Sequence, residues 1–153
     1  VVLGGLLVGC GLGAFEDKTA VVEVGGSTRT FEVDSCGLDG RTVFLVARAD
    51  DGSILQAVVG LEAEANDGIV DSTGVTIDAD PDRTDTRSAA FGAEAWARRG
   101  ETGAPPGRID SARLRGSRIQ FDGQLVALDA FDDPVPGAEL QPFSVDARCD
   151  EDG

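Results

Sequence analysis

Histidine, tyrosine and methionine are missing from this 153-residue chain, and tryptophan and lysine occur once each, as Trp96 and Lys18. Without His, the usual general base and the commonest metal ligand are gone. A Ser or Thr nucleophile would need Lys or a carboxylate as its base, and Lys18 lies in a stretch that reads as a tether. No nucleophile-elbow pattern and no phosphate-binding glycine loop is present. Carboxylate pairs arise by chance among 28 acidic residues, so they single out no site. The expectation is a chain that is not an enzyme and needs no cofactor. Basic residues are also scarce, 13 against 28 acids, for a net charge of −15. Such a chain is repelled by nucleic acid and by anionic headgroups. Aromatics make up only 5 %, but apolar residues reach 41 % and fall in periodic runs. That excludes disorder for the middle of the chain, and only 150–153 reads as an acidic tail. Twelve of the 13 basic residues are Arg, in a chain rich in Ala, Gly and Asp. This is the composition of a GC-rich genome and carries no mechanism.

The apolar run Val1–Val8 is far short of the roughly 20 residues that span a bilayer. Gly4, Gly5 and Gly9 would weaken it as a buried strand or helix. It ends in Leu7-Val8-Gly9-Cys10, which resembles the lipobox of a bacterial lipoprotein signal: an aliphatic residue, a small residue and Gly before one Cys. The resemblance implies cleavage before Cys10 and attachment of a diacylglycerol to its sulfur. Residues 1–9 then read as the remnant of a signal peptide whose basic n-region is missing. Residues 10–20 carry the lipid-attachment Cys and a short flexible tether, 21–149 form one domain, and the protein works lipid-anchored at the extracytoplasmic face of the cell membrane. With Cys10 acylated, Cys36 and Cys149 are an even pair in an oxidising compartment, for which a disulfide is the natural reading.

From Val21 onward the pattern is that of strands. Val22 and Val24 alternate with Glu23; Gly25-Gly26-Ser27 marks a turn; Phe31 and Val33 alternate with Glu32 and Asp34. Thr42–Arg48 and Ile54–Leu61, on either side of Asp51-Gly52, predict a hairpin. Ile119–Phe121 and Gln124–Val126 around Asp122-Gly123 predict a second tight hairpin. The segment Ala89–Arg98 is ambiguous: its Ala content favours helix and its alternation favours strand. Strand is expected there, because its surroundings are β and Gly92 weakens a helix. Phe143, Val145, Ala147 and Cys149 share one phase of a last strand, which turns Cys149 into the core. The fold class is mostly β: a single-domain antiparallel β-sandwich or a curled, partly closed sheet, stapled by one disulfide.

This layout resembles the mycobacterial lipoprotein antigen family of the LpqH type, small actinobacterial lipobox lipoproteins. The likeness rests on Cys10, on Phe31-Glu32-Val33 with Cys36, on Ile119–Leu125, and on Phe143-Ser144-Val145-Asp146-Ala147-Arg148-Cys149. It implies a small β domain closed by a Cys36–Cys149 disulfide, anchored through Cys10, with no enzymatic activity. The chain departs from the family in its acidity and in lacking a Ser/Thr-rich tether.

Two further features are candidates for function. Asp78, Asp80, Asp82 and Asp85 alternate as a hard cation would require. Arg83 stands where an EF-hand needs Gly, and Ala89 where it needs Glu, so the reading is a solvated acidic loop with at most a weak divalent site. Arg98, Arg99, Arg108, Arg113, Arg115 and Arg118 share a window with only Glu101 and Asp110, net +4, which leaves −19 elsewhere. With Trp96 they could form a docking face for an envelope protein, a glycan or a lipid; the plainer reading has them paired with the surplus acids and Trp96 in the core. Two functions follow. One is a carrier of a lipid or other apolar small molecule inside the β domain, marked by a void at Phe31, Val43, Leu45 and Phe121. The other is an interaction domain with a filled core.

Overall fold

The computed structural model describes residues 18–62 and 67–149. Leu7 to Cys10, most of the tether and the 150–153 tail lie outside them. The strands are β1 (Thr19–Val24), β2 (Ser27–Asp39), β3 (Thr42–Arg48), β4 (Ile54–Leu61), β5 (Gly68–Asp78), β6 (Arg87–Phe91), β7 (Arg108–Arg115), β8 (Arg118–Ala127) and β9 (Gln141–Arg148), with one short helix, α1 (Ala93–Arg98), after β6.

Each strand pairs antiparallel with its neighbours. The order β6-β5-β4-β3-β2-β1-β9-β8-β7, with an added β6–β8 pairing, closes the sheet on itself. β6 and β7 both pair with β8, at Val126–Ala127 and at Arg118–Gln124. They therefore run collinearly and share one strand position. The result is a closed, eight-stranded, up-and-down antiparallel β-barrel. An even number of strands is what lets the first and last meet antiparallel, and closure removes the exposed sheet edges.

Alternation fills the barrel. Val22, Phe31, Leu45, Leu55, Val75, Ile119, Phe121 and Val145 all face inward and are buried. Simple alternation from Phe31 and Val33 would point Cys36 outward. A β-bulge between Val33 and Ser35 shifts the phase, as bulges do, and brings Cys36 to the core side. β1 begins only opposite Glu32 and Arg148. The Cys36–Cys149 disulfide, Cα–Cα 5.6 Å, bridges β2 and β9 across the gap beyond that start. This end is the base of the barrel, with the 40–41 and 116–117 turns. The opposite end, with turns 25–26, 49–53, 79–86 and 128–140, is the mouth.

Two local expectations are corrected. The segment Ala89–Arg98 is half strand and half helix: β6 ends at Phe91 and α1 begins at Ala93. The Ala-rich half turns helical because it leaves the sheet to lie on the outer wall, where Ala95 and Trp96 pack with Ala89, Phe91, Val126 and Leu128. The 119–126 hairpin is instead one continuous strand, Arg118–Ala127, whose turn lies at Gly116-Ser117. Gly123 serves packing there: a Cβ would lie 2.0 Å from the Arg108 carbonyl oxygen, beside a bulge in β7.

Candidate functional site

A hollow of about 240 Å³ opens at the mouth. Val22 and Val24 from β1, Phe31 from β2, Ile77 from β5 and Leu125 from β8 form its apolar wall. These are inward positions near the mouth ends of their strands, so alternation alone aims them into it. Its rim is polar, with Thr28, Arg29, Thr86 and Ser88. Arg29 donates to the Ser53 hydroxyl at 2.7 Å and pairs with Asp51 at 3.3 Å. The Ser53 hydroxyl donates to Asp51 at 2.6 Å, and its backbone N–H at 3.0 Å. These hydrogen bonds, with Arg29 beside them, hold the Asp51 carboxyl below its ordinary 3.8. Of the four residues expected to line a void, Phe31 borders this hollow, whereas Val43 and Phe121 sit in the core cluster below it. Leu45 belongs to that core as well and also borders a second cavity.

The second cavity is a groove of about 390 Å³ on the outer wall. Cross-strand register sets its frame: Phe44 lies opposite Val58, Val58 opposite Gly74, and Gly74 opposite Phe91. Phe91 lies over Gly74 so closely that a Cβ there would be 2.1 Å from the ring. Trp96 backs Phe91 with ring centroids 5.2 Å apart, and the Arg99 guanidinium stands 5.1 Å from the Phe91 centroid. Glu94 accepts from the Ser72 hydroxyl at 2.7 Å and pairs with Arg98. The Ser72 bond first, and Arg98 second, lower its pKa from the ordinary 4.5.

The arginine window is divided between elements. Arg98 and Arg99 border the groove at the end of α1. Arg113, Arg115 and Arg118 flank the turn at the base. Arg115 pairs with Asp67 at 3.4 Å, and Arg118 donates twice to Asp146, at 2.8 and 2.6 Å, which raises its pKa. Trp96 is 6 % exposed in the outer cluster, and its indole N–H has no partner among the described residues. The acidic loop bonds itself. Asp78 accepts from the Thr86 hydroxyl and the Asp80 N–H, Asp80 from the Asp82 N–H, and Asp85 from Arg83. Among the described residues, no three His, Cys, Asp or Glu side chains form a metal-holding group.

Sequence reasoning missed the mouth residues Val24, Arg29 and Leu125, because the mouth exists only once the sheet closes. It also missed Phe44 and Val58. Their signal was present: Thr42–Arg48 is apolar in both phases, which marks a strand with work on both faces. The chain matches no family model and no curated protein.

Proposed function

We propose that this domain is a non-catalytic carrier, which takes the apolar part of a small molecule into the mouth of the barrel, and that a lipid on Cys10 holds it at the outer face of the cell membrane. The observation that carries the reading is the apolar hollow at one end of a closed barrel. Eight strands enclose room either for packed side chains or for one small ligand, as in lipocalins. Here the side chains fill the base and middle and leave the mouth. Of the rim residues, Arg29 is the charged one, and its bonds to Ser53 and Asp51 hold it beside the hollow, where it can meet a ligand's polar end. At 240 Å³ the hollow is below the usual range of about 300–1,000 Å³, so it suits a ring or the end of one chain. Lys18, the first described residue, accepts a bond from the Val33 N–H at the base. A tether from Cys10 therefore joins the barrel at its base, the end away from the mouth.

The test is native mass spectrometry of protein extracted from its own membrane, followed by NMR titration with 1-aminoanthracene. The expected result is a small molecule lost on denaturation and an acylated chain starting at Cys10. Shifts should fall at Val22, Val24, Phe31, Ile77 and Leu125, and Val24→Glu should abolish them. A bare native mass with no probe shifts at the mouth refutes the carrier, and an unmodified N-terminus refutes the anchor.

A further inference from the structure

We propose that the outer-wall groove is a separate binding site for a single-chain amphiphile with a carboxylate head: the chain lies over Val58 between Phe44 and Phe91, and the carboxylate meets Arg99. Three independent observations converge on it.

The first is an apolar surface with a defined shape. Phe44 is 47 % exposed, unusual for a Phe in mid-strand, and Val46 and Val58 beside it are half-buried. Phe44 and Phe91 stand three strand spacings apart along one register row, roughly 14 Å at about 4.8 Å per strand. Gly74 lets Phe91 fold flat onto the sheet, so Phe91 and Ala95 form a wall on one side. Phe44 forms the other. The volume, about 390 Å³, is at the lower end of small-molecule sites, which suits one chain.

The second is charge. In a chain with 28 acids and net charge −15, no acidic residue among the described ones lines this groove. Its only charged lining residues among the described ones are Arg98 and Arg99. Glu94 takes up Arg98. Arg99 has no carboxylate partner among the described residues and is held over the Phe91 ring by a cation–π contact. An uncompensated guanidinium at the rim of an apolar groove selects an anionic head on an apolar body. A second copy of this acidic chain would be repelled instead.

The third is rigidity. The groove lies on paired strands and on a helix tied to β5 by the Ser72–Glu94 bond and by the Gly92 N–H donating to the Thr73 carbonyl. A preformed site loses little on binding.

Dodecanoate, dodecanol and dodecyltrimethylammonium, each titrated below its micellar concentration, test the proposal through Trp96 fluorescence and backbone NMR shifts. Dodecanoate should shift Phe44, Val58, Phe91 and Arg99 and bind at least tenfold tighter than the cation. Arg99→Gln should remove that preference and Arg99→Lys should retain it. Phe44→Ser, at an exposed position, should weaken dodecanoate and dodecanol alike by tenfold or more. Equal binding of the cation, unchanged dodecanoate affinity in Arg99→Gln, or unchanged binding in Phe44→Ser overturns the proposal. The mouth variant Val24→Glu should leave groove binding intact. If Val24→Glu abolishes dodecanoate binding while Phe44→Ser keeps it, the ligand sits in the mouth: the groove inference fails and the carrier reading stands.

Discussion

Removal of the disulfide, as Cys36→Ala/Cys149→Ala, should cost this domain a large part of its stability. The bond closes a loop of 113 residues. In the chain-entropy model, a loop of that length withholds about 4.8 kcal/mol of disorder from the unfolded chain, and native disulfides typically return about 2–5 kcal/mol. Single domains have only about 5–15 kcal/mol in total. The double variant should therefore lose about 2–5 kcal/mol in urea unfolding, a fall in Tm of roughly 4–20 °C for a chain of this size. The loss also has a place. β1 starts opposite Glu32 and Arg148, and beyond its start the disulfide links β2 directly to the end of β9. Hydrogen exchange should accelerate first at Thr19–Val21 and at the ends of β2 and β9, before the mouth end of the same strands. A loss below about 1 kcal/mol, or loosening that begins at the 25–26 turn, would refute the reasoning.

Gly74→Ala should destabilise by about 1–3 kcal/mol through overpacking against the Phe91 ring. Combined with Phe91→Ala it should cost clearly less than the sum of the two, because the clash vanishes with the ring; an additive cycle by denaturant unfolding counts against the packed row. Ser72→Ala should raise the Glu94 pKa toward 4.5, read by carboxyl NMR titration, since the Ser72 hydroxyl is the larger cause of its lowering. Asp51 is likewise lowered in the fold, so its contribution to stability is complete above 3.8 and disappears as the pH falls through the lowered value. Ser53→Ala should flatten that acid limb, and an unchanged profile would remove the assigned cause. Trp96→Phe should cost about 1–2 kcal/mol, the loss of buried ring alone, because the indole N–H it deletes has no partner among the described residues. A loss above about 2 kcal/mol in urea would show that the indole makes a bond essential to the outer layer.

Much of the strand content was legible because period-2 alternation is a direct signature of a sheet with one buried face. Val22 and Val24, Phe31 and Val33, and Phe143, Val145 and Ala147 all point where alternation puts them. The turns at Gly25-Gly26, Gly40 and Gly52 were legible because each needs a positive φ. Alternation is blind to bulges, however. The bulges in β2 and β7 move later residues to the other face without any change in composition, so the inward aim of Cys36 could not be derived from its neighbours. Asp122-Gly123 misled for a related reason. A Gly that makes room for an adjacent strand is indistinguishable, in one dimension, from a Gly that makes a turn. Full closure was hidden as well, since a curled sheet and a barrel share the same strands and differ only in whether β6 reaches β8.

The candidate sites were less legible, and the interruption between β6 and β7 explains why. One strand position closes the barrel, yet two strands occupy it, with 92–107 leaving the wall between them and returning at Gly107, where a Cβ would meet the Gln124 and Ala89 carbonyl oxygens. An uninterrupted strand would close the barrel equally well. What the excursion adds is α1, which brings Trp96 behind Phe91 and sets Arg98 and Arg99 beside the outward residues of β3 and β4. The apolar outer phase of Thr42–Arg48, which an up-and-down barrel would otherwise expose to water, thereby acquires a wall and a cationic rim. The helical composition of Ala93–Arg98, the second apolar phase of β3 and the adjacent pair Arg98-Arg99 are three separate oddities in the sequence. In the fold they meet at one groove, and none of them is required for the barrel to close.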